Sequence, residues 1–193
     1  MKKLLAAVLT SVLFTASANA ALIYEQGISN VATGHNTFTY KFAYDDFTLS
    51  GDYNIDTITV NAFANFGSSD NIGNMDWEIR SVAGSIPGSV LYSGNIGTVT
   101  KTDTGSDYSS WDLVDYTIDI ANINLASGSY FLGLKANLAE NVHITLINDP
   151  VNISQALVAN GTGYSDYWNG KDFAFRLEGD VASVSEPVTL VLF

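Results

Sequence analysis

The segment VDYTIDI, residues 114–120, alternates apolar and polar side chains without a break. Val114, Tyr116, Ile118 and Ile120 fall on one side of an extended chain, and Asp115, Thr117 and Asp119 on the other. Successive side chains of a strand point to opposite faces, so this spacing builds one apolar and one wet face. A strand with one wet face belongs to an antiparallel sheet, because parallel strands are covered on both sides and read as continuous apolar runs.

The same period recurs along the chain. In DTITVNAF (56–63), Ile58, Val60 and Ala62 alternate with Thr57, Thr59 and Asn61. In DWEIRS (76–81), Trp77 and Ile79 oppose Asp76, Glu78 and Arg80. VHITL (142–146) places Val142, Ile144 and Leu146 together, and DFAFRLEG (172–179) sets Phe173, Phe175 and Leu177 against Asp172, Ala174, Arg176 and Glu178. Stretches such as SIPGS, TDTGSD, LASGS and NGTG lie between these runs, and their residues suit turns. No segment carries a convincing helical period. The expected fold is all-β, an antiparallel two-sheet β-sandwich of jelly-roll type. One parity change stands out. FTYKFAY puts Phe38, Tyr40, Phe42 and Tyr44 on one face, whereas Phe47 and Leu49 follow at odd positions. A slip of one residue reverses the faces, so a bulge or strand break is predicted at Asp45-Asp46.

The first residues, MKKLLAAVLTSVLFTASANA, read as a secretory signal peptide over 1–20: two lysines, an apolar stretch from Leu4 to Phe14, and the small-x-small site Ala18-Asn19-Ala20. The sandwich domain is expected over 21–180, with a linker and an apolar tail over 181–193. Of 8 basic residues, Lys2 and Lys3 leave with the signal, so 6 face 20 acidic ones and the mature charge is near −14. Such a chain repels nucleic acid and anionic membrane surfaces. There is no Cys, which excludes disulfides, thiol catalysis and Cys-based zinc sites.

The tail VSEPVTLVLF (184–193) resembles the opening of a PEP-CTERM sorting signal, with Ser185, Glu186 and Pro187 at the motif and an apolar run behind it. In that family the signal closes exported proteins of Gram-negative bacteria that make exopolysaccharide. Ser185 stands where the family usually has Pro, and the rest of the apolar helix and the basic end are missing here. AYDDFTL (43–49), IPGSVLYSG (86–94), GSYFLGL (128–134) and DFAFRLEG (172–179) are similar to segments of β-sandwich proteins that carry this signal. The resemblance implies a cell-surface or extracellular-matrix protein, handled by exosortase-type sorting machinery and associated with exopolysaccharide or biofilm. It also implies that contact with the membrane would come only through the missing C-terminal helix.

Signals for catalysis are sparse. The histidines are His35 and His143, no GxSxG elbow occurs, and the acidic residues fall mostly on the wet strand faces. The expected role is therefore non-enzymatic, with a secreted hydrolase as the remote alternative. Calcium takes oxygen ligands from loops, and Asp103 and Asp107 in TDTGSD, together with Asp45 and Asp46 at the parity change, are the candidate ligands. The nearer alternative is a carbohydrate-binding module. Flat rings stack on sugars, and GYSDYWNG (163–170) offers Tyr164, Tyr167 and Trp168 beside Asp166 and Asn169. Trp111 beside Tyr108 in DYSSWD is a second pair of that kind.

Overall fold

A computed structural model describes residues 20–27, 31–35, 41–65, 72–109, 111–137, 142–147, 156–161, 163–166 and 170–182, which form strands and turns and no helix. The strands are β1 (Ala21–Gln26), β2 (Val31–His35), β3 (Ala43–Leu49), β4 (Tyr53–Asn65), β5 (Asn74–Ala83), β6 (Ile86–Ile96) and β7 (Thr100–Tyr108). They continue with β8 (Trp111–Leu125), β9 (Gly128–Asn137), β10 (Val142–Ile147), β11 (Leu157–Asn160), β12 (Gly163–Ser165), β13 (Asp172–Phe173) and β14 (Phe175–Val181).

Two antiparallel sheets face each other as a β-sandwich. In the eight-stranded sheet β4 is central. One edge of β4 runs beside β8 from Tyr53↔Leu125 to Asn65↔Trp111, and β7 continues the sheet outward from β8. The other edge forks: β14 covers Tyr53 to Val60, and β10 covers Ala62 to Ala64. Ala174 sits in the fork, where its N–H donates to the Thr145 carbonyl and its carbonyl accepts from the Asn61 N–H, both at 3.0 Å. The second sheet runs β12-β11-β3-β9-β5-β6. Counting β1, β3, β4, β5, β6, β8, β9 and β14 in chain order, one sheet joins the first, eighth, third and sixth, and the other the second, seventh, fourth and fifth.

The alternation read from the sequence sets the core. Ile58, Val60 and Ala62, Val114, Tyr116 and Ile118, Trp77 and Ile79, and Phe173, Phe175 and Leu177 all point between the sheets and are buried there. Each large apolar side chain so buried contributes about 1.5–3 kcal/mol before the cost of ordering the chain.

The bulge expected at Asp45-Asp46 is absent. β3 pairs with β9 from Ala43↔Leu134 to Leu49↔Gly128 with no shift of register. Ala43, Phe47 and Leu49 face the core, so Asp45 faces it too, while Tyr44 points out of the sandwich. Parity misleads at this strand because the outer face of this sheet has an apolar cover of its own. Tyr44, Phe131 and Leu157 are buried there against Phe42, Val82 and Tyr164. An aromatic on the even side is thus no sign of the main core. For the same reason Glu78, on the outward face of β5, is only 5% exposed. Asp172 departs from its expected wet face as well and is buried at 1%. TDTGSD does not connect two strands; it lies inside β7, where the register shifts between Asp103 and Ser106 and Gly105 takes φ 71°.

Candidate functional site

The outer face of the eight-stranded sheet carries a groove of about 350 Å³. Strand register builds it row by row. Glu25 of β1 pairs with Arg176 of β14, Arg176 with Thr59 of β4, and Thr59 with Thr117 of β8. The next row holds Asn61 of β4 opposite Asp115 of β8. All these positions alternate with core residues, so their side chains share the outer face. Gly27 at the end of β1 and Thr104 of β7 close the sides.

Side-chain hydrogen bonds fix the floor. Asn61 Nδ2 donates to Asp115 Oδ1 at 2.9 Å and to the Val114 carbonyl at 3.2 Å, and Thr145 Oγ1 donates to Asn61 Oδ1 at 2.6 Å. Arg176 Nη1 reaches diagonally across β4 to Asp115 Oδ2 at 2.9 Å, and its Nε lies 3.7 Å from Glu178 Oε1. Thr59 and Thr117 join hydroxyls at 2.9 Å, and Thr104 Oγ1 donates to the Leu113 carbonyl at 2.7 Å. The result is a preorganised polar groove whose hydroxyl and amide floor, Thr59 and Asn61, is buried and whose Arg176 and Asp115 are half-buried, suited to a ligand rich in hydroxyls.

Aromatic rings lie further along the same face. Phe63 is two residues beyond Asn61 in β4, and His143 is two residues before Thr145 in β10. Trp111 stacks edge-on against His143 with ring centroids 5.0 Å apart, and Tyr108 leans on Phe63 at 5.2 Å. Phe63 is buried beneath its neighbours, Trp111 and His143 are half-buried, and Tyr108 is 42% exposed.

The residues singled out from sequence are dispersed. Tyr164 lies in β12, half-buried, with its ring edge-on to Tyr44 at 5.3 Å and its hydroxyl accepting from Arg80 Nη1 at 3.2 Å. Asp166 is exposed just beyond that strand. Tyr167, Trp168 and Asn169 lie outside the described residues, as do Ser185, Glu186 and Pro187. Asp103 Oδ1 accepts from the Gly105 N–H at 2.8 Å, which is the local bond of the β7 irregularity, and Asp107 stands opposite Asp112. Asp45 and Asp46 are both buried but on opposite faces of β3. Among the described residues no group of three or more His, Cys, Asp or Glu is arranged to hold a metal ion.

Asp45 instead spans the sandwich. Its Oδ2 accepts from the Phe173 N–H at 2.6 Å and from Gln26 Nε2 at 3.0 Å, and its Oδ1 accepts from the Asp46 N–H at 3.0 Å. Gln26 also donates to the Phe173 carbonyl at 3.2 Å. Burial pushes the Asp45 carboxyl well above the usual range, and the nearby Asp172 carboxylate pushes it further. Gln26 belongs to the groove wall, so the strand ends that shape the groove are tied to the opposite sheet through this one carboxyl.

Thr59, Asn61, Arg176 and Glu25 went unmarked in the sequence, where alternating polar residues read as a solvated face. Asn61 alone carried a signal, since Asn is unfavoured in the middle of a strand. Comparison of the chain with models of known protein families gave no match, and comparison with curated proteins gave none.

Proposed function

We propose that this is an exported, non-enzymatic β-sandwich of the bacterial cell surface or extracellular matrix, and that it binds polysaccharide through the outer face of the eight-stranded sheet. The observation that carries the reading is the polar groove of about 350 Å³ on the same sheet face as the rings of Trp111 and Tyr108, which lie further along β8 and β7. Stacking rings next to fixed hydroxyl, amide and charged groups is the combination that sugar recognition requires, because a pyranose has both apolar faces and a rim of hydroxyls. The reading moves the carbohydrate site from GYSDYWNG to the second aromatic pair, on the opposite sheet. The strand order, with the first strand beside the last and the second beside the seventh, supports assignment to the jelly-roll type. Export and exosortase-type sorting rest on MKKLLAAVLTSVLFTASANA and on Val184-Ser185-Glu186-Pro187. β1 begins at Ala21, next to the expected cleavage site.

Tryptophan fluorescence of the purified protein, titrated with soluble polysaccharides, tests the reading. Trp77 is buried in the core, so a change lost in Trp111→Ala and kept in Trp168→Ala places the ligand on the groove. A change lost only in Trp168→Ala returns the site to residues 163–170. No saturable change with any polysaccharide, in protein that still unfolds cooperatively, overturns carbohydrate binding.

A further inference from the structure

We infer that the ligand of this groove is an amino sugar with a free, protonated amine rather than a uronate or sulfated sugar; the inference rests on the saccharide reading above and deepens it. The charges at the groove do not balance. Glu25, Asp115 and Glu178 bring three carboxylates to one guanidinium, that of Arg176. Arg176 is also the one cationic side chain among the described residues that line the groove.

That guanidinium is already engaged, with Nη1 on Asp115 at 2.9 Å and Nε facing Glu178 at 3.7 Å. A uronate seated here would meet the carboxylates of Glu25 and Asp115, and the one guanidinium facing it already has its charge matched by Asp115 and Glu178. Drawing Arg176 wholly onto the uronate would leave Asp115 at the groove floor with its cation removed, a costly outcome for a carboxylate with a side chain only 16% exposed. An ammonium group asks for no such exchange. It brings three N–H donors and no acceptor, and Glu25 stands exposed at the rim beside Arg176 to receive it. Thr104, half-buried at the side of the groove, then serves the neutral part of the sugar over a floor set by Thr59 and Asn61.

The overall charge of −12 would draw any polycation to any part of the surface, so the test uses short ligands in salt. Titration calorimetry on the full chain, at about 0.15 M salt where screening acts beyond about 8 Å, compares three probes. They are a disaccharide of glucosamine, its doubly N-acetylated form, and a disaccharide of uronic acid. The free-amine sugar is expected to bind tightest and the uronate weakest. Glu25→Gln is expected to weaken the free-amine sugar about threefold to fivefold, the scale of an exposed ion pair, and to weaken the N-acetylated sugar less. Asp180→Asn, which removes an exposed carboxylate further along β14, is expected to change neither. Equal weakening by Asp180→Asn would trace the preference to the general field of the protein and overturn the inference. Equal affinity for amine and N-acetyl forms, or stronger binding of the uronate, would overturn it and leave the saccharide reading standing. Failure of all three sugars to bind to folded protein would remove both.

Discussion

Tyr44 and Glu78 meet above Gly133, although their strands β3 and β5 are not neighbours. β9 runs between them, and its Gly133 is paired with Tyr44 on one side and with Glu78 on the other. The Tyr44 hydroxyl donates to Glu78 Oε1 across the bare glycine. Arg80 completes the cluster. Its Nε and Nη2 grip Glu78 at 2.8 and 3.1 Å, and its Nη1 donates to the Gly88 carbonyl at 2.9 Å as well as to Tyr164. The guanidinium also lies 5.5 Å from the centre of the Tyr44 ring. β3, β5, β6 and β12 are thereby tied together on the outer face. Burial, and then the hydrogen bond to Glu78, push the Tyr44 hydroxyl far above its usual pKa.

Gly133→Ala is therefore expected to destabilise the fold. A Cβ at this position would come within 2.5 Å of Tyr44 Cε1 and 2.9 Å of Glu78 Cγ. The expected loss is about 1–3 kcal/mol, as for overpacking a filled interior. Chemical denaturation measures it. In combination with Tyr44→Ala the two losses should fail to add, because the first variant's clash is with the ring that the second removes.

Asp45 predicts a pH dependence of stability. Its folded-state pKa is raised above the ordinary 3.8. The protonated carboxyl is thus favoured by folding. Its contribution is full below the ordinary value and is lost as pH climbs through the raised one. Asp45→Asn cannot ionise. Relative to the parent protein it should gain unfolding free energy as pH rises from the ordinary carboxylate value to the raised one and hold level beyond it, and a difference that stays flat throughout would refute this.

Asp76 predicts the opposite slope. Burial alone would raise its pKa, but hydrogen bonds from Asn95, Asn137 and Lys135 outweigh that and hold it below the usual range. Its contribution is present above the ordinary value and disappears as pH falls through the lowered one. Asp76→Asn should accordingly make acid unfolding less steep. Comparing the two proteins by circular dichroism below the ordinary carboxylate range checks it.

Asn61→Ala is expected to cost about 1–3 kcal/mol, since it removes a buried amide that accepts from Thr145 and donates to Asp115 and the Val114 carbonyl. If the groove binds saccharide, the same variant should lose binding while remaining folded. Thr104→Val changes a groove side without touching Asn61, so it should weaken binding with little loss of stability.

The sequence by itself determined the strands with an unbroken period of two and which side of them is apolar. Period two in VDYTIDI, DTITVNAF, DWEIRS and VHITL is a local property, because neighbouring side chains alternate whatever the strand later pairs with. That was enough for an antiparallel sandwich. It was not enough for FTYKFAYDDFTL, where Tyr44 and Phe47 lie on opposite faces and both faces are covered. Only the tertiary structure decided that the outer face of the six-stranded sheet would be capped by Phe131, Leu157 and Tyr164, since those side chains come from distant parts of the chain. The groove has the same origin. Glu25, Asn61, Asp115 and Arg176 each look like a solvated position in their own strand. They become a site only when the register of β1, β14, β4 and β8 sets them in adjoining rows, and register between distant strands leaves no mark on the local sequence.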